Sequence, residues 1–216
     1  MNFSYRLIYT TGAKTAQEIG YVNKCYHLWA SEFGADLASR GAKLNHDEFQ
    51  RARVIAVVLK DDEVAGFHLY SPFDLRESSS LDHSYVRAMS EEAKTKLLEK
   101  NINSFLAMEY LTVAPGFRTK EAGGPKVAEL IVRLGLKVMN ELNLEGALGI
   151  ARMDRKVNFL GDLIGFTEIA QISKYNNLCS VMVMSKYETP READDFTKKT
   201  VETLWGGMPQ TSKIAA

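Results

Sequence analysis

Residues 105–142, FLAMEYLTVAPGFRTKEAGGPKVAELIVRLGLKVMNEL, decide the fold of this chain, because they read as strand, glycine-bearing loop and helix in that order. The stretch 105–113 is an apolar run holding one acid, Pro115 ends it, and 126–142 carry apolar residues at helical spacing. Between them lie Arg118, Lys120, Gly123 and Gly124, which place positive charge and a backbone free of bulk where helix N–H groups point outward. The helix start adds roughly half a positive charge, so the junction suits a phosphate. An ordinary glycine loop with two solvated cations is the competing reading.

Upstream, 3–10 alternates polar and apolar residues and predicts a first strand, followed by a helix over 15–33 with Ile19, Val22, Tyr26 and Trp29 on one face and Gly34 closing it. The polar segment 44–53, LNHDEFQRAR, predicts a loop with a helical turn. Two β-rich runs, 54–59 and 64–70, flank Lys60-Asp61-Asp62-Glu63 and imply an antiparallel hairpin that Pro72 ends. A Ser-rich loop over 74–82 and a helix over 84–100 make a helical insertion of about 74–104, a possible lid.

Downstream of 142 come a strand at 145–151, a short helix at 155–164 and strands at 167–173 and 178–187 joined through Asn176-Asn177. A helix over 191–204 precedes a loose tail. The order implies a mixed α/β sheet of seven strands with helices on both faces. The helix 126–142 is the crossover that sets 105–113 parallel to 145–151.

At 216 residues, 45% apolar and 25% charged, the chain has enough apolar content for a substantial core and is expected to be one domain, 1–216. Lys plus Arg equals Asp plus Glu at 27 each, so no basic excess points to nucleic acid. Two distant cysteines, Cys25 and Cys179, fit no disulfide framework or metal spacing, and the four histidines form no HExxH pair, so no metal is expected. With no signal-like leader and no run long enough to span a bilayer, the expected location is the cytoplasm.

Two blocks carry a family resemblance. LTVAPGFR (111–118) matches a strand end L-x-V-x-P-x-x-R, and DRKVNFLGDLIGF (154–166) matches N-x-x-A-x-x-L-Y-x-x-x-G-F. With the hairpins they resemble the GCN5-related N-acetyltransferase superfamily over roughly 54–187. The resemblance implies an acyl-CoA whose pyrophosphate lies on the loop and helix start, at Arg118, Lys120, Gly123, Gly124 and Lys126. It also implies a pantetheine arm in a V-shaped splay between the central parallel strands, against Leu111, Thr112 and Val113. The loop is longer than the family's and ends in Pro125, which has no N–H to give. The family's Asn and Tyr are Asp154 and Gly161 here. The chain is more loosely similar to the long-chain N-acyl amino acid synthases and the acyl-homoserine-lactone synthases, through Tyr21, Tyr26 and Trp29, the segment 44–49 and EYLTV (109–113).

That likeness implies a fatty acyl donor on CoA or acyl carrier protein and an amino acid acceptor, with Tyr26, Trp29 and Asp154 binding substrate. An acetyl-CoA enzyme acting on another small amine or a protein, a thioester-binding sensor without turnover, and autoinducer synthesis from S-adenosylmethionine stay open. Amide formation requires a base, and Glu109, the one acid in an apolar strand, is the candidate, sharing a face with Ala107, Leu111 and Val113 by alternation. Burial would raise its pKa. A structural acid paired with a nearby Arg is the other reading. Cys25, Cys179 and the methionines at 139, 153, 182 and 184 read as core.

Overall fold

The computed structural model describes residues 3–118 and 126–209. The described residues open with strand β1 (Phe3–Tyr9), helices α1 (Ala16–Ala38) and α2 (Asp47–Gln50), strands β2 (Val54–Lys60) and β3 (Glu63–Asp74), and helices α3 (Ser78–Asp82), α4 (Ser84–Arg87) and α5 (Glu91–Glu99). Then come β4 (Ser104–Val113), α6 (Val127–Glu141), β5 (Gly146–Arg152), α7 (Val157–Ile164), β6 (Thr167–Lys174), β7 (Asn177–Ser185) and α8 (Asp195–Gly206). The strands form one seven-stranded mixed sheet in the order β1-β2-β3-β4-β5-β7-β6. The chain divides into two compact units, one made of Met1–Ser71, Glu109–Lys137 and Ala193–Ala216, the other of Pro72–Met108 and Val138–Glu192.

In the first unit β1, β2 and β3 pair antiparallel, and Asp61 and Asp62, at φ of +49° and +65°, make the two-residue turn that joins β2 to β3. β2 is buried at every position but its last, so it lies inside the sheet with both faces covered. Helix α1 packs on this sheet through Tyr21, Cys25 and Trp29 at i, i+4, i+8, which join Ile55, Val57, Phe67 and Leu69 in one core. The stripe is rotated from the predicted one, and Ile19 is half exposed. The helix also runs past Gly34 to Ala38, because Leu37 is a further buried anchor beyond the glycine. A helical glycine costs only about 1 kcal/mol, which buried packing offsets.

In the second unit β4 runs parallel to β5 at Phe105–Gly146, Leu106–Ala147 and Ala107–Leu148, as the crossover predicts. Glu145 fixes the start of that pair, accepting from Asn103 N at 2.6 Å and Ser104 N at 2.9 Å. β5, β7 and β6 continue antiparallel. The turn between β6 and β7 uses Tyr175 and Asn176, both at positive φ, one residue before the predicted Asn pair. Asn177 opens β7 instead, buried and donating to Tyr175 O at 3.2 Å.

Three further expectations are corrected. β3 continues through Pro72 to Asp74, with Pro72 exposed, a place where a missing ladder N–H is tolerated. The predicted loop 74–82 contains α3, and the predicted single helix over 84–100 is broken in two. Ser90 restarts it by accepting from Ala93 N, and Tyr85, Val86, Met89, Ala93 and Leu97 fill the core of this unit against Phe105 and Leu148.

Candidate active site

Glu109 is the one carboxylate of β4 and is 7% exposed. Its neighbour Tyr110 has φ of +55°, a left-handed conformation that an L-residue in a strand adopts at a cost of about 1–2 kcal/mol. Two aromatic edges hold it there: Trp29, 5.5 Å between ring centroids at 89°, and Phe33, 4.9 Å at 86°. Thr112 Oγ1 donates to Tyr110 O at 2.8 Å and fastens the kink. A left-handed residue interrupts the regular pleat at this point of β4. Thr112 is buried, while Leu111 and Val113 are half-buried.

Glu109 Oε2 lies 3.7 Å from Arg51 Nη2, and the same nitrogen lies 3.7 Å from Glu48 Oε2. Both acids are buried, so one guanidinium faces two desolvated carboxylates. A buried acid without such a cation would be costly, and the arginine offsets part of that cost. Glu109 is therefore a buried acid paired with an arginine, the feature that the alternative reading of this residue expects. Arg51 and Glu48 escape a sequence reading because EFQR reads as a polar loop. Their three-residue spacing is the only signal, and it places the two on one side of the short α2 turn.

Aromatic rings cluster at the residues next in sequence to these acids, Phe49 beside Glu48 and Tyr110 beside Glu109. α1 presents Tyr26, Trp29 and Phe33 at spacings of three and four. Phe49 of α2 meets Tyr26 and Trp29, each at 5.4 Å. Tyr26 Oη and His46 Nδ1 are 2.7 Å apart, the donor being set by the histidine tautomer. Tyr26 is half-buried and His46 exposed, so these two form the rim. Trp29 is wholly buried, and its Nε1 has no hydrogen-bond acceptor among the described residues. It is a wall of the site.

The predicted anion-binding residues divide. Arg118 Nη2 is 2.6 Å from Glu32 Oε2 and its Nε donates to Val113 O at 3.0 Å, so it ties the end of β4 to α1. Lys126 is exposed, and its carbonyl accepts from Leu130 N at 3.0 Å as the first bond of α6. Lys120, Gly123, Gly124 and Pro125 lie outside the described residues.

Asp154, in the second unit, is exposed and accepts from Arg152 Nε at 2.9 Å. Nearby, a Cβ on Gly161 would sit 3.2 Å from Met182 Cε, so methionine occupies the space a larger side chain there would need. Both cysteines are buried, and burial pushes the Cys25 thiol well up, away from the reactive thiolate. Among the described residues, no group of three or more His, Cys, Asp or Glu is arranged to hold a metal ion, and no helix is long and apolar enough to cross a membrane.

No protein-family model matches the chain, and no curated protein matches its sequence. Solved structures do match. A polyamine N-acetyltransferase of Drosophila melanogaster, an enzyme that forms N-acetylagmatine, superposes with a TM-score of 0.60 at 10% identity, over 85% of this chain and 100% of its own. FeeM, an N-acyl amino acid synthase from uncultured soil microbes, gives 0.57 at 9% over 87% and 92%. Arylalkylamine N-acetyltransferase 2 of Aedes aegypti gives 0.53 at 12% over 84% and 99%. What these chains share at such identities is the fold.

Proposed function

We propose, from the GCN5-related N-acetyltransferase fold of this chain, that it is an N-acyltransferase moving an acyl group from a CoA or acyl-carrier-protein thioester to a primary amine by direct attack. The observation that carries this reading is Glu109, a buried carboxylate beside the left-handed Tyr110 in β4. An amine binds as the ammonium and must lose a proton to become a nucleophile. Glu109 takes that proton. The nitrogen then forms the new C–N bond, the C–S bond breaks, and the sulfur leaves with its electron pair and takes up the second proton from nitrogen. A thiol, with a pKa of about 8.5, is a fair leaving group without an acid at position 161. The oxyanion of the tetrahedral intermediate falls to a backbone N–H of the 111–113 stretch.

When bound, the thioester supplies the activated carbonyl. Leu111, Thr112 and Val113 would line its arm, and Lys126 with Lys120, Gly123 and Gly124 would hold its phosphates at the start of α6. The exposure of Lys126 at a helix start fits that role. Arg118 would have to exchange Glu32 for phosphate to join them. Likeness of fold to FeeM supports a fatty acyl donor and an amino acid acceptor, whereas likeness to the insect enzymes supports acetyl transfer to a plain amine. Incubating the chain with acetyl and long-chain thioesters of CoA and of carrier protein, with mixed amines and amino acids, tests the reading. Thiol release with an amide detected by mass spectrometry is expected, and release of neither rejects it.

A further inference from the structure

The guanidinium of Arg118 is held at two points that differ in kind. Its Nε donates to Val113 O at 3.0 Å, which fixes the plane of the group at the end of β4. Its Nη2 lies 2.6 Å from Glu32 Oε2, on α1, and these two side chains are 46% and 33% exposed. An ion pair open to water contributes little, because solvent satisfies each charge nearly as well, so this second contact is open to exchange. A phosphate brings at least the charge of a carboxylate, spread over more oxygens, and a guanidinium fork binds it through parallel hydrogen bonds. With Nε kept on Val113 O, Nη2 can pass from carboxylate to phosphate without relocating the arginine. Helix α1 does not depend on the pair, since Tyr21, Cys25 and Trp29 bury its inner face in the core and Trp29 and Phe33 meet the ring of Tyr110. Release of Glu32 is thus a local event.

Resting on the proposed transfer reaction, we infer that Glu32 is an internal competitor for the donor's phosphate and the residue through which this chain selects phosphorylated donors. Before the donor arrives, the carboxylate of Glu32 occupies Arg118 in the phosphate's place. A phosphorylated carrier displaces it. A carrier without phosphate leaves the pair closed and gains nothing from the arginine, and a free carboxylate offers no more than Glu32 already gives. Glu32 therefore lowers the affinity for every phosphorylated donor while turning weaker anions away. It acts through Arg118 and takes no part in the chemistry at the amine.

Calorimetric titration with CoA, and with pantetheine, which lacks phosphate, tests this. In Glu32→Gln, CoA is expected to bind about three- to fivefold tighter than to the wild-type chain, the scale of one exposed ion pair removed, with pantetheine binding as before. Because the gain runs through Arg118, adding Glu32→Gln to Arg118→Gln should leave the CoA affinity where it was. An equal gain in that background means that Glu32 merely repels phosphate from a distance, and overturns the exchange. Unchanged or weaker CoA binding in Glu32→Gln overturns it too, while turnover of acyl-CoA by the same sample leaves the transfer reaction standing. If CoA binds to none of the chains the inference falls, and the reaction falls with it only if no thioester, of CoA or of carrier protein, is turned over. Both side chains reach solvent, so neither change threatens the fold, and a melting curve of each variant checks that.

Discussion

At the scale of single residues, Glu109 and Gly66 carry the sharpest consequences. Glu109→Gln keeps size and one acceptor oxygen but cannot take a proton, so kcat at neutral pH should fall by about 10²–10⁴. Thioester binding should change little. Steady-state rates beside a melting curve check it, and a variant with undiminished kcat removes Glu109 from the chemistry. Gly66 is a packing matter. A Cβ there would stand 2.8 Å from Thr112 O and Ile131 Cδ1 and 3.1 Å from Val127 Cγ1, and the carbonyl cannot step aside. Gly66→Ala is expected to lower stability by about 1–3 kcal/mol, read as an earlier urea midpoint. The two sites differ in legibility. An acid inside an apolar strand shows in the sequence, whereas a glycine in VAGFHLY gives no hint that β4 and α6 approach it.

At the scale of elements, helix α1 shows where sequence patterns suffice. Thr15 and Glu18 form a reciprocal cap, Thr15 N donating to Glu18 Oε2 at 2.8 Å and Glu18 N to Thr15 Oγ1 at 3.2 Å. Thr15→Ala should cost about 1 kcal/mol, seen as a lower melting temperature. The T-x-x-E spelling makes this start readable. The helix end is not, because what carries the chain past Gly34 is burial of Leu37, a tertiary fact. Strand β4 makes the same point more strongly. Its span is plain from its apolar run, but the left-handed turn at Tyr110 is imposed by Trp29 and Phe33, and no local preference of tyrosine announces it.

At the scale of the whole molecule, the order of strands and the parallel crossover were legible from the spacing of apolar runs. The division into two interleaved units was not, since each gathers segments far apart in sequence. Acid stability is a property of the whole that one residue shapes. Burial pushes His68 down from 6.5 to about 3, with 4% of the residue exposed. The unfolded chain therefore binds more protons than the folded one between those values. Its contribution is fully present above about pH 6.5 and is lost as the pH falls towards 3, by up to about 1.4 kcal/mol per unit. Replacing the ring, as in His68→Leu, should shrink the drop in urea midpoint between pH 7 and pH 5. An undiminished drop would place the acid sensitivity elsewhere.

The two tryptophans of the chain, Trp29 and Trp205, both fall in the first unit, one sealed among rings and the other half-buried beside Tyr5. Indole emission thus reports on that unit alone, and the second is dark at those wavelengths. Far-ultraviolet dichroism sees both. Unfolding curves recorded by the two signals on one sample would coincide if the chain melts as a single cooperative body and separate if it does not. The native sequence thereby contains its own optical test of how many domains it has, with no label attached.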